Sequence, residues 1–475
     1  MTVGNSRQTQ DLGLQETASA IAAGTLTSVQ AVSDSLDRID ASQPNLNAFK
    51  IVRREKALAE AAAADARFAA GDRPPLLGVP IAVKDDTDVA GEPTAFGRVG
   101  DFPVKLQDAE AVRRLRAAGA VIVGKTNACE IGQWPFTSGP GFGYTRNPWS
   151  ADHTPGGSSG GSSAAVAAGL VPAALGSDGA GSIRIPAAWT NLFGIKPQRG
   201  RISTWPEPES FYGLTVNGPL TRTVADAALL FDVAAGNHAG DLHTPEPLTV
   251  SDAVGRDPGV LRIALSYRRP FTATRTSLHP EVKAGVERVV TALRSLGHQV
   301  TVADPIYGPQ IGANFMPRSM AGIDNWTRDL ADPSKLDPHT LSNARLGKVL
   351  RNGPLQAVTR LEPLLHKQVG RIYRDFDVVI APSTGTPPPA LHAPDGLSSW
   401  GINKLITNAC PYAWPWNVLG WPSVAIPGGF TADGLPVGAQ LMGNANTEPL
   451  LVSLAAQLES VLRWDLQRPD PWWLG

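Results

Sequence analysis

An α/β layered fold built around a large central sheet is the architecture that this 475-residue chain predicts. The first observation behind it is "DAEAVRRLRAAGAVIVGKTN" at 108–127, which reads as a helix, a glycine stop and a fully apolar strand. That succession marks an α/β crossover unit, because a strand buried on both faces loses the polar alternation of a half-exposed one. The second is a recurrence of short apolar runs bounded by Pro, Gly or polar residues. They are "LLGVPIAVKD" at 76–85, "FDVVIAPST" at 376–384, "WPSVAIPGGF" at 421–430 and "LPVGAQLMG" at 435–443. The third is the helical sequence lying between them, as at 224–235 and 281–296.

Taken in order, residues 15–70 read as helices. Ile21, Leu26, Val29, Val32, Leu36 and Ile39 recur at helical spacing. Pro44 with Asn45 and Asn47 marks a break, and "EKALAEAAAADARFAAG" resumes a helix that stops at Gly71. The apolar segment 164–175 reads as a buried helix, too short to span a bilayer. The stretch 238–248 is a long polar loop, and 306–355 reads as irregular. No convincing linker divides the chain, so both stretches are expected to be excursions from one domain.

Composition narrows the function. A formal charge of −1 favours neither nucleic acid nor an anionic membrane by bulk electrostatics. Only Cys129 and Cys410 are present, which makes a disulfide framework unexpected and a reducing compartment the simpler reading. The first residues, "MTVGNSRQTQDLGLQ", lack the apolar core of a secretory signal, so a cytoplasmic location is expected.

The chemistry-bearing stretch is "TPGGSSGGSSAAVAAGLVPAALGSDGAGSIRIP" at 154–186, where two bare Gly/Ser loops flank an apolar segment. As a linker the first loop fails, because the sequence on both sides looks buried. As a phosphate cradle it lacks the Lys-Ser/Thr ending of a P-loop. A third reading is a rigid turn presenting serine hydroxyls close to a ligand. In the second loop, Asp178-Gly179-Ala180-Gly181-Ser182 sets a hydroxyl behind residues with little side chain, where successive N–H groups can form an anion-binding nest. A serine nucleophile needs such a nest and a base. None of the eight histidines stands in a motif that recommends it. Lys84, at the end of an apolar strand, is the other option, since burial disfavours the ammonium form.

At this point the chain resembles the amidase signature family. Gly156 to Ala187 is similar to the family's signature, and "GVPIAVKDD" at 78–86 to its lysine motif. "GKTNACE" at 124–130, "TRNPW" at 145–149, "GPLTRTVADAALL" at 218–230 and "NVLGWPSVAIPGGFTADGLPVGAQLMG" at 417–443 extend the resemblance over nearly the whole chain. The resemblance implies a mixed central sheet covered on both faces by helices, in one domain over 1–475. Within it, a helical region 1–70 packs on a catalytic core of 78–230 and 376–465, and 231–375 forms a more variable substrate-side region.

By the same resemblance the chain is a metal- and cofactor-independent amidohydrolase using a Ser–cis-Ser–Lys triad and an acyl-enzyme. Its nucleophile is Ser182, its bridging serine Ser158 after a cis peptide, and its base Lys84. The backbone N–H groups of Gly179, Ala180, Gly181 and Ser182 form the oxyanion hole. Ser159, Asp178 and Arg184 support the site. Lys84 is expected to be neutral at rest, provided that Asp85 and Asp86 point away from it; a carboxylate paired with Lys84 would keep it protonated and stop a relay that starts from the neutral amine. Ala180 stands where many members have Gly, which would strain a left-handed backbone there.

Trp134, Phe136, Phe142 and Tyr144 lie between two motifs near where the family lines its acyl pocket, and Trp414 and Trp416 precede another, although core packing is the commoner fate of aromatics. The expected partner is a small-molecule amide, with no nucleic acid and no membrane, and a homodimer remains open. The competing reading is the amidase-like subunit of a tRNA-dependent amidotransferase. Those subunits carry a Tyr-rich helical tract, whereas 341–375 holds only Tyr373.

Overall fold

The computed structural model describes residues 11–270, 272, 274–328, 330 and 332–475. Among these, eleven strands join one sheet. They are β1 (Phe49–Val52), β2 (Pro80–Lys84), β3 (Val121–Thr126), β4 (Ala173–Asp178), β5 (Phe193–Lys196) and β6 (Val216–Thr221). The rest are β7 (Arg262–Leu265), β8 (Gln299–Val302), β9 (Val378–Pro382), β10 (Ser423–Phe430) and β11 (Pro436–Met442). Their order is β1-β3-β2-β4-β6-β5-β10-β11-β9-β7-β8. The sheet is mixed. β3, β2 and β4 run parallel, as do β9, β7 and β8, while the central pairs from β4 to β9 are antiparallel.

Both faces are covered, as alternation along the strands requires. Ile81 and Val83 enter one apolar core with the helices Glu110–Ala117, Val224–Ala234, Pro280–Ser295 and Glu448–Leu462. Ala82, between them, enters a second core with the helices Ser28–Leu46 and Gly160–Ala167. Val424 and Ile426 likewise face the first, and Ala425 the second.

The structure departs from the sequence reading in four places. The segment 15–70 is not all helical, since β1 interrupts it. The helix Ser28–Leu46 runs through Pro44 and ends two residues later, with Asn47 left-handed at φ 53°. The apolar run 164–175 is a helix only to Ala167, and β4 begins at Ala173. The stretch 306–355 is chiefly the helices Pro309–Thr327 and Pro338–Leu350. Its prolines look like breaks in sequence. However, Pro309 and Pro338 sit in the first helical turn, where a missing N–H leaves no bond unmade. No helix among the described residues is long and apolar enough to cross a membrane.

Candidate active site

β2 is buried at every residue and delivers Lys84 to its C-terminal end with 0% exposure. The neighbouring parallel strand β4 brings Ser177 and Asp178 to the same end of the sheet. The first Gly/Ser loop crosses above them through a cis peptide bond between Gly157 and Ser158. Glycine is required at 157, because a Cβ would meet Trp134 O and Phe136 N at 2.7 Å.

Lys84 Nζ donates to Ser158 Oγ at 2.7 Å and to Ser177 Oγ at 2.7 Å. Ser177 Oγ in turn donates a short hydrogen bond to Asp86 Oδ2. Asp85 turns away, as expected, to pair with Lys125 at 2.9 Å and to accept the Phe96 N–H at 3.0 Å. Asp86 does not turn away. Its carboxylate lies 3.2 Å from Lys84 Nζ, and both side chains are nearly inaccessible. The expectation of a lysine free of carboxylates therefore fails at Asp86, because the chain after β2 turns that side chain back towards the strand end.

Ser182 lines one large cavity with Ser158, Gly179, Ala180 and Ser177. Ser159 ties the two loops together. Its N–H donates to Ser182 O at 3.3 Å, and its hydroxyl donates to Ser177 O at 3.0 Å. The donor set of the second loop is narrower than expected, since Gly181 N–H is taken by Asp178 Oδ1 at 2.7 Å. The N–H groups of Gly179, Ala180 and Ser182 have no partner among the described residues. Ala180 is not left-handed, so alanine is unstrained there. The left-handed residue is Gly181, at φ 119°, where a Cβ would come within 2.6 Å of Ala413 Cβ and 2.8 Å of Ile185 Cδ1. Gly181→Ala is expected to lower the thermal midpoint and to cut kcat/KM at least tenfold, for about 1–3 kcal/mol of backbone strain. Wild-type kinetics in that variant would contradict the assignment.

Asp178 and Arg184 form a fully buried pair at 2.9 Å. Arg184 also donates to Ala413 O, Gln440 Oε1 and Asn417 Oδ1, and Asn417 Nδ2 donates back to Asp178. Burial opposes ionisation of Asp178, but Arg184, Lys196 and Asn417 outweigh it and hold its carboxyl well below the usual carboxylate range. A depressed pKa contributes stability above the ordinary range that is lost as pH falls through and below it. The melting temperature should therefore drop on acidification below about pH 4. Arg184→Met should remove about 3–5 kcal/mol, because it strands a buried carboxylate. Denaturant unfolding of the variant at neutral pH checks this.

The cavity measures about 1100 Å³. The helix Pro309–Thr327 forms much of its wall, with Phe315, Met316 and Met320, and Trp400 and Trp414 add to it. Of the expected pocket aromatics Trp134 and Trp414 line it, and Phe136, Phe142, Tyr144 and Trp416 do not. Phe136 is buried behind Trp134, its ring stacked at 6.1 Å. Trp416 is fully buried in an apolar core and donates to Gly443 O. Neither shows a surface to the cavity, because tight packing claims both rings. No histidine lines the cavity among the described residues. Sequence reasoning missed Ser177, and it named Asp86 only as a carboxylate expected to point away from Lys84. The only signal for Ser177 was its place in the "GSDG" run, and pairing of β2 with β4 could not be read from it.

The Amidase family model matches residues 30–452. The chain belongs to the amidase signature family. A Mycobacterium tuberculosis protein named "Putative amidase AmiA2" is 60% identical over 453 residues, covering 95% of this chain and 94% of that protein. The fold is similar to that of 6-aminohexanoate cyclic dimer hydrolase, with TM-score 0.86 and 29% identity, over 97% of this chain and 99% of that one. It is also similar to a bacterial aryl acylamidase of the amidase signature family, with TM-score 0.85 and 25% identity, over 95% and 96% of the two chains.

Proposed function

We propose that this amidase signature protein cleaves carboxylic amides through an acyl-enzyme on Ser182. The contact that carries the reading is the buried Lys84–Ser158 hydrogen bond at the floor of the cavity that Ser182 lines. In this scheme Ser182 Oγ attacks the amide carbon, Ser158 takes its proton, and Lys84 takes the proton of Ser158. The developing oxyanion is received by the unpartnered N–H groups of Gly179, Ala180 and Ser182. The relay then returns a proton to the leaving amine, and water releases the carboxylate.

The Asp86 contact changes the start of this relay. Because the resting amine faces a carboxylate, it reaches its proton-accepting form by passing a proton towards Asp86, directly or through Ser177. An ion pair and its neutral counterpart hold the same number of protons, so no net deprotonation is required. Ser159, Asp178 and Arg184 act by holding the two loops in register.

The volume and aromatic wall suit a substrate with an aryl or extended aliphatic body. The high identity to a protein named as an amidase favours this reading over an amidotransferase subunit. Hydrolysis of an aryl or aliphatic amide by the purified single chain tests it. An inactive single chain that gained activity only with partner chains would overturn it.

A further inference from the structure

One carboxyl on the cavity wall has no part in the proposed reaction. Glu207 lines the same cavity as Ser158 and Ser182. The other acids on the wall are matched. Asp86 faces Lys84, and Asp88 pairs with Lys105 at 3.1 Å and accepts from Thr94 Oγ1 at 2.7 Å. Arg98 is engaged with the carbonyls of Ala95 and Trp326 and lies over the Phe102 and Trp326 rings. Glu207 has no ion-pair partner among the described residues; Ser210, in its own loop, offers it a hydroxyl. With Asp86 matched to Lys84 and Asp88 to Lys105, Glu207 is the one carboxyl on this wall with no cation in contact among the described residues. The remaining wall is largely apolar, including Phe96, Trp134, Trp326 and Trp414. An apolar wall carrying one carboxyl that no cation contacts fits a ligand with an apolar body and a cationic end.

Resting on the amidase reading, we propose that Glu207 determines specificity by receiving a protonated amine or guanidinium carried by the substrate away from its scissile amide. Titration supports this. Burial, reinforced by the nearby Asp86 and Asp88 and opposed by Ser210 and Lys105, pushes Glu207 up to about 7. The empty site thus sheds its charge on acidification, whereas a substrate ammonium stays protonated near neutrality. The preference for a cation should therefore strengthen as pH rises through about 7.

The test uses two anilides of equal length, one whose acyl chain ends in an ammonium and one ending in methyl. A second pair carries the ammonium on the amine side. The readout is the ratio of kcat/KM, cationic over neutral, which is insensitive to a general loss of activity. In at least one pair the wild-type ratio should rise several-fold from about pH 6 to about pH 8. Glu207→Gln should lower it about tenfold or more, the scale of a hydrogen bond to a charged group. The wild-type pH series needs no variant and stands even if Glu207→Gln misfolds. A ratio flat with pH and unmoved by Glu207→Gln in both pairs overturns the inference while leaving the amidase reading intact. If no anilide is turned over, the amidase reading is decided separately by its own test on aliphatic amides. The inference is then decided by calorimetric binding of the same pairs. Tighter cation binding that Glu207→Gln abolishes supports it, and equal affinities overturn it.

Discussion

Ser182→Ala is expected to abolish amide hydrolysis while the protein still folds. The loss should be roughly five to six orders of magnitude in kcat, the scale found when a serine nucleophile is removed from a working triad. Ser182 is small and lies at the cavity surface rather than in an apolar core, so deleting one hydroxyl leaves packing nearly unchanged. Its main-chain carbonyl, which accepts from Ser159, is untouched by the substitution. A fluorophosphonate should label the wild-type enzyme at Ser182, and peptide mass mapping locates the adduct. Labelling at another residue, or a Ser182→Ala protein with normal turnover, would reject the nucleophile assignment.

Lys84→Ala carries the second large effect, in two separable parts. Activity should fall by about 10²- to 10⁴-fold, because the relay loses its terminal base. Stability should fall as well, by about 3–5 kcal/mol, because Asp86 keeps a buried charge without its cation. The double variant Lys84→Met with Asp86→Asn removes both charges. It should recover much of the stability and none of the activity. Denaturant melts and steady-state rates on the three proteins distinguish the parts. Near-normal turnover in Lys84→Ala would eliminate the relay whatever the melts showed.

Much of this arrangement was legible in the sequence, for identifiable reasons. Buried strands such as β2, β9, β10 and β11 announce themselves as continuous apolar runs, since both of their faces are covered. The proposed triad positions could be named because the motifs that resemble the family's are local. What local pattern could not supply was adjacency. The pairing of β2 with β4 places Ser177 against Lys84, and the turn after β2 brings Asp86 back towards it. Trp416 shows the same limit. Its neighbours in sequence suggested a pocket, whereas its neighbours in space are core residues. The helices on Pro309 and Pro338 were missed because proline signals both an interruption and a first turn.

The sheet order also bears on how the protein is made. β10 lies between β5 and β11, so β5 gains its second neighbour only when residues 423–430 are available. Arg184, two residues beyond Ser182, draws three of its partners from 413–440. A ribosome therefore releases both Gly/Ser loops long before the segment that clamps them. Until then β5 presents an open edge and Arg184 has Asp178 but not its three later acceptors, a state prone to pairing with other chains. The segment 413–442 supplies both the strand that closes that edge and the acceptors that clamp Arg184, so one stretch of chain serves protection from aggregation and completion of the site.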